Sequence, residues 1–483
     1  WQLRIESGCK EKDIQNLAWK DVKLRHYTTE KKVRYRCKVT IPKIFAGTKV
    51  KGGKAILKLL ISGPADYSAT VFLNGKKTLQ LPIVDPVTRA HNIPDLLLTE
   101  QAKPGQSWDV QVLVKNRLIY PAQDFPLSNK DTSFGGAVLK LDSVLSMQEK
   151  LNTFRINLFA VDKLTTPWQP STKDKRPFVP KRISYSKLDK AELKKLRSVY
   201  LNGLKKFNLK ALKTGDSRSV LKAIEETMAA LKSISPFAKE FTVYLVGNAH
   251  IDLAWLWRTK ETVQIAANTF KSVLNNMEKH PNLIYAQSQA QTYDWVEKED
   301  PGLFAHIKNA VKKGTWDPVG GMWAEPDCNL IGGESWIRQM IYAQRYFQEK
   351  FGKRAWLGWN PDSFGYNWNM PQFYSKGGIK AFITQKISWN HQTRFPYHLF
   401  WWQAPDGSRI LTYLPTGSYV EKVEPEKILD HLLNFEHATG FKEMLSLIGF
   451  GNHGGGPNLP MLERAQLLAK QPLFPTVKFI RAH

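Results

Sequence analysis

The sequence predicts an α/β protein: a β/α domain built on a mainly parallel sheet or barrel, preceded by a β-rich, sandwich-like domain and a helical linker. Two observations carry this. From Phe241 onward, short apolar runs alternate with amphipathic stretches, whereas residues 1–165 hold only short, regularly spaced strand-like runs. Between them, Pro167, Pro170, Pro177 and Pro180 mark a linker. The boundaries drawn from this are 1–165, 166–238 and 239–483.

In the first segment, Val33 to Ile41 and Lys54 to Ser62 are alternating or apolar runs. Ser68 to Leu73 leads into Asn74-Gly75, the dipeptide that favours a two-residue hairpin turn. Trp108 to Val114 and Ala137 to Leu145 extend the strand series. In the linker, Ser186 to Leu212 spaces its apolar residues at near-helical intervals, and Ser217 to Ser233 does the same.

The third segment opens with the strand Phe241 to Val246, aromatic, β-branched and too short for a helix. A helix is expected near Thr262 to Lys279, a strand at Leu283 to Gln287, and a helix from Asp300 to Lys313, with Asp300-Pro301 as cap and first-turn residue. A strand then ends in the Trp316 to Trp323 region. Glu334 to Phe351 is helical, Ala355 to Trp359 a strand, Met370 to Lys376 helical, Ala381 to Gln385 a strand, and Thr476 to Ile480 a final strand.

The formal net charge of +27 raises the question of a nucleic-acid partner. No zinc-finger spacing, arginine-rich tract or RNA-binding aromatic motif accompanies it, and none is expected to bind. Much of the excess is local: Lys181 to Lys213 holds eleven Lys/Arg against two acidic residues, which reads either as a solvated basic helix face or as a contact for an anionic partner. No apolar run reaches the length of a membrane span, and the first residues carry no secretory pattern. Cys9, Cys37 and Cys328 are scattered and odd in number, which favours a reducing compartment, the cytoplasm, over a disulfide framework. A homo-oligomer is compatible with all of this.

Four segments bring polar residues to apparent strand ends. The first is His250-x-Asp252, followed by Trp255. Side chains at i and i+2 of an extended segment point the same way, so His250 and Asp252 form half of a metal site. The second runs from Gly320 through Glu325 and Asp327 to Asn329, the third from Trp359 through Asp362 to Tyr366, and the fourth from Gly449 through Asn452 and His453 to Pro457. A second carboxylate such as Asp327 would complete a metal set. The same half of the chain is rich in tryptophan, and an indole face packs in a core or stacks on a sugar ring.

At these residues the sequence resembles glycoside hydrolase family 38, the retaining α-mannosidases, in the cytosolic and bacterial branch with an amino-terminal β-domain. The likeness rests on Gly-Asn-Ala-His250-Ile-Asp252-Leu-Ala-Trp255-Leu-Trp, Gly-Gly-Met-Trp-Ala-Glu-Pro-Asp327-Cys-Asn, Trp-Asn-Pro-Asp362-Ser-Phe-Gly-Tyr and Phe-Pro-Tyr397-x3-Trp-Trp402. It implies a seven-stranded β/α barrel with one zinc or another divalent ion, held by His250, Asp252 and Asp327. Asp327 would also be the nucleophile, forming a covalent glycosyl-enzyme. Trp255 matches the aromatic residue under the mannose, and Asp362 and Arg338 are expected to bind its hydroxyls. The implied substrate is a mannose-containing oligosaccharide or glycoconjugate.

The family's Gly-rich segment usually supplies an Asp as acid/base, where this chain has Asn452. An amide cannot shuttle that proton. His453 beside it is the candidate for the role, or serves as a metal ligand. The family's fourth metal ligand, a His, and its helical and carboxyl-terminal β-domains are expected to lie beyond His483. A metal-dependent carbohydrate deacetylase, or an inactive sugar-binding fragment, are the competing functions.

Overall fold

In Ser107–Asn116, Val110, Val112 and Val114 alternate with other residues, so one face of this strand is a valine stripe. In the computed structural model of the protein, that stripe lies in an apolar cluster with Val33, Tyr35, Leu57, Ala69, Val71 and Leu96. The structure describes residues 141–169, 175–210, 217–451 and 454–482, and, before them, 2–5, 20–21, 26–28, 32–41, 43–45, 48–49, 54–62, 67–81, 96–116 and 132–140. Contacts divide it into two units, Trp1–Thr153 with Asn208–Glu225, and Phe154–Phe207 with Glu226–His483.

The first unit contains two larger antiparallel sheets. One is ordered Lys20–Asp21, Gln2–Ile5, Lys32–Thr40, Ser107–Asn116, Tyr67–Leu73, Lys76–Leu81, and the other Leu96–Thr99, Ala55–Ser62, Thr132–Leu141, His26–Thr28. Leu57 and Leu96 of the second sheet share the valine cluster of the first. Asn74 and Gly75 close the expected hairpin with φ of 49° and 78°, the conformation of a type I′ turn.

The expected strand Ala137 to Leu145 is corrected. The strand ends at Leu141 and the helix Asp142–Thr165 follows at once. Phe154, Ile156, Ala160, Val161 and Leu164 recur at helical spacing and are buried. That spacing is sustained over more residues than a strand occupies. The basic stretch forms a shorter helix than expected, Lys190–Leu204, started by Asp189, whose side chain accepts the Ala191 N–H at 2.9 Å.

In the second unit, Trp316–Pro318, Tyr285–Gln287, Thr242–Ala249 and Glu443–Phe450 run parallel in that order, and Thr476–Phe479 also pairs with Thr242–Ala249. A second sheet orders Leu357–Asn360, Ala381–Thr384 and Arg409–Tyr413 in parallel, with Leu399–Gln403 antiparallel at its edge. Segments that follow the strands bond across to the other sheet: Gly320 N–H, just past Trp316–Pro318, donates to Leu357 O at 2.8 Å, and Glu421 N–H, past Arg409–Tyr413, donates to Leu447 O at 2.9 Å. Val246, Ala286, Val319, Leu357, Trp359, Ile383 and Leu447, drawn from both sheets, form one buried cluster. The helices between strands include Thr259–Lys279, Pro301–Lys313, Gly333–Phe351 and Pro425–Thr439. Asp300 caps the second as expected, accepting the Leu303 N–H at 2.9 Å. Among the described residues, no helix is long and apolar enough to cross a membrane.

Candidate metal centre and active site

Thr242–Ala249 is buried along nearly its whole length, and both of its edges are paired. The strand delivers His250 to the end of the sheet, where its N–H donates to Phe450 O at 3.1 Å. Gly449, opposite Asn248 in the register, has φ +146°, and a Cβ there would fall 1.9 Å from Asn248 O. Only glycine tolerates that approach.

Three carboxylates converge on the buried His250 ring. Nε2 lies 3.2 Å from Asp252 Oδ1 and 3.0 Å from Asp362 Oδ2. Nδ1 lies 3.2 Å from Glu325 Oε2, an ionic contact without hydrogen-bond alignment. Tyr419 packs edge-on against the imidazole with centroids 5.5 Å apart. Burial opposes a charged imidazole, but Glu325, Asp252 and Asp362 outweigh it and hold the His250 pKa well above its ordinary value. For Asp362, burial is likewise outweighed, by His250 and Lys386, and its pKa is lowered.

The loop positions are fixed by backbone contacts. Glu325 Oε1 accepts the Asp362 N–H at 2.9 Å, and the Glu325 N–H donates to Gln289 Oε1 at 3.0 Å. Gln289 Nε2 in turn donates to Ile251 O at 2.8 Å. Gln289 carries φ +67°, an uncommon backbone state for a non-glycine residue, between the strand Tyr285–Gln287 and the helix Ala290–Glu299. Cys328, just beyond Asp327, is buried and donates to Ser363 Oγ at 3.2 Å, and burial pushes its thiol up to about 11. It is a packed, protonated thiol.

Among the described residues, the His and acid donors that close to within 4.8 Å of one another are His250, Asp252 and Asp362. This group contains Asp362, expected on the sugar hydroxyls, and does not contain Asp327, expected as a ligand. Asp327 is exposed on its loop, where Oδ1 accepts the N–H groups of Asn329 and Leu330 at 3.1 and 3.3 Å. Arg338 lies on the exposed face of Gly333–Phe351 and pairs with Glu334 at 2.7 Å. None of its described contacts ties it to His250. Trp255 is 59% exposed in the turn after Asp252 and meets Trp257 edge-on. Asn452 and His453 lie outside the described residues.

Two residues near His250 carry no sequence signal of their role. Nothing in the run Ala324-Glu325-Pro326 shows that the Glu325 carboxylate faces His250. Lys386 contacts Asp362 Oδ1 and is buried. A lone lysine after a short strand carries no sequence signal. The tryptophans divide as their chemistry permits: Trp316 and Trp336 are wholly buried, while Trp368, Trp389 and Trp401 are exposed.

A buried imidazole ringed by carboxylates at the end of parallel strands has the donor chemistry to hold a cation. The chain belongs to a family of carbohydrate-cleaving enzymes: residues 240–483 match the Glycosyl hydrolases family 38 N-terminal domain. Alpha-mannosidase G of Dictyostelium discoideum is 38% identical over 265 residues, covering 55% of this chain and 24% of that protein. Human alpha-mannosidase 2C1 is 40% identical over 240 residues, covering 50% and 23%. The match thus spans about a quarter of these relatives' length. Among solved structures, an alpha-mannosidase from Enterococcus faecalis is 22% identical with a TM-score of 0.44, over 50% of this chain and 28% of that one.

Proposed function

We propose that this chain carries the catalytic centre of a zinc-dependent retaining α-mannosidase that removes terminal non-reducing mannose from cytoplasmic glycans. We read the parallel strands of the second unit as the expected seven-stranded barrel, with Thr476–Phe479 outside it, and the antiparallel sheets of the first unit as a sandwich. The observation that carries the proposal is the convergence of Asp252 and Asp362 on His250 Nε2.

The donor set fits a metal. One imidazole and two carboxylates suit zinc. The three donor groups close to within 4.8 Å of one another, as ligands of one ion must. His250, Asp252 and Asp362 would hold it, with Glu325 supporting the far side of the ring. When bound, the ion supplies a Lewis acid and a template for the sugar's vicinal hydroxyls.

The chain's own residues do the rest. Asp327, two positions beyond Glu325 on the same turn, attacks the anomeric carbon as the glycosidic C–O bond breaks. His453 gives its proton to the departing oxygen, then takes one from the water that releases mannose and restores the Asp327 carboxylate. Trp255 offers an exposed indole face to the ring.

A fluorinated mannosyl donor tests this. Peptide mapping after incubation should find the sugar on the peptide containing Asp327, and the protein should hydrolyse an aryl α-mannoside. An unlabelled Asp327 together with acetate release from an acetylated sugar would mean a metal-dependent deacetylase instead.

A further inference from the structure

Lys386 is the second cation of the cluster, and its surroundings are unusual for a lysine. It lies in the short 3₁₀ turn Lys386–Trp389 that follows the strand Ala381–Thr384, with only 7% of its surface exposed. Burying an ammonium is costly unless it is paired and surrounded by groups that favour a cation. Both conditions are met. Its Nζ contacts Asp362 Oδ1 and lies 3.7 Å from the Trp389 ring centroid, 4.3 Å from that of Phe364 and 5.8 Å from that of Tyr419. Three aromatic faces therefore stabilise the charge and limit where the ammonium can go.

The two oxygens of Asp362 are thus divided between partners. Oδ1 belongs to Lys386, while Oδ2 lies 3.0 Å from His250 Nε2. A carboxylate held at one oxygen by a caged cation has lost the freedom to turn its other oxygen away. The charges agree with this division. Asp252, Glu325 and Asp362 bring three carboxylates around His250, and a divalent ion together with the Lys386 ammonium would balance them. An apolar residue in the same box would pack against the same rings and leave both tasks undone.

We propose that Lys386 is a positioning residue for the metal centre: it clamps Asp362 Oδ1 and so presents Oδ2 on the side of His250 Nε2. The aromatic box of Phe364, Trp389 and Tyr419 is the part of the clamp that fixes the lysine. This inference rests on the metal reading of the site.

The test is cobalt(II) titration of the metal-stripped full-length chain, followed by the visible absorption of the bound ion, which reports ligand number and geometry. The wild-type chain should bind one Co2+. Lys386→Met should weaken binding by roughly ten- to a hundredfold, the usual effect of losing an outer partner of a ligand, and should alter the spectrum. Lys386→Arg should restore most of the affinity. Should Lys386→Met not fold, as judged by thermal unfolding, Lys386→Gln takes its place with the same expected loss. A neutral variant that binds Co2+ as tightly as the wild type, with an unchanged spectrum, overturns the clamp but leaves the metal site standing. A wild-type chain that binds no Co2+ overturns both.

Discussion

Glu325 and Asp362 are coupled through the backbone: Glu325 Oε1 accepts the Asp362 N–H at 2.9 Å, while Glu325 Oε2 lies 3.2 Å from His250 Nδ1. One carboxylate thus fixes the loop that carries Asp362 and faces the ring that Asp362 contacts from the other side. Glu325→Ala removes both functions. It leaves the Asp362 N–H without this acceptor, a loss of about 1–3 kcal/mol, and should weaken zinc binding by roughly tenfold or more. Glu325→Gln keeps an acceptor oxygen for Asp362 and should lose less stability than alanine. Urea denaturation and zinc content measure the two effects, and equal stability losses for both variants would contradict the bridging role.

In the proposed function, metal binding and nucleophilic attack fall to different residues. His250, Asp252 and Asp362 form the tight donor group, and Asp327 lies exposed on a neighbouring turn. Asp362→Ala should therefore purify with little zinc. Asp327→Ala should keep its zinc while losing aryl α-mannoside hydrolysis by about a thousandfold or more, as expected for removal of a nucleophile. Elemental analysis of the two variants decides the matter. Zinc lost from Asp327→Ala and kept by Asp362→Ala would restore the ligand set that the family resemblance implied.

The sequence made the first half of the site legible because spacing within one strand is a local property. His250 and Asp252 sit two residues apart at the end of an apolar run, and period-two geometry alone brings them together. Asp362 and Glu325 come from other strand ends, and which oxygen meets which nitrogen depends on how those strands align. Spacing alone therefore does not decide whether Asp362 or Asp327 lies beside His250. The helix Asp142–Thr165 was missed for a different reason: the valine- and leucine-rich run before it, Ala137 to Leu141, does form a strand, and nothing in the apolar pattern marks the switch at Asp142. The hairpin at Asn74-Gly75 and the cap at Asp300 were legible because each depends on only a few adjacent residues.

Gly449 ties the sheet to the site. It pairs with Asn248, two residues before His250, at φ +146°, where a Cβ would meet Asn248 O at 1.9 Å. Gly449→Ala forces two paired strands apart at the end that carries His250. A loss of about 3 kcal/mol or more is expected, since backbone strain of about 1–3 kcal/mol adds to the steric conflict. Zinc affinity should fall with it. A variant with unchanged urea midpoint and unchanged zinc content would mean that the strand ends are looser than the register indicates.

Acid sensitivity should arise partly away from the metal site. His398 donates from Nδ1 to Leu414 O at 2.9 Å, and burial, with help from the nearby Arg182 and His431 charges, pushes its pKa down to about 4. His437, stacked on Trp168, is also pushed down to about 4, by burial and Arg182. A histidine with a depressed folded-state pKa takes up its proton more readily in the unfolded chain. Its contribution is therefore complete above about pH 6.5 and is lost as pH falls towards 4. For His398 the loss is about 3 kcal/mol from a shift of this size, and for the more exposed His437 it is smaller. His398→Asn, whose amide can replace the donor to Leu414 O without titrating, should flatten this part of the profile. Urea midpoints at pH 7.5, 5.5 and 4.5 compare the two proteins. A variant that loses stability between pH 6.5 and 4 as steeply as the wild type would show that His398 is not the group responsible.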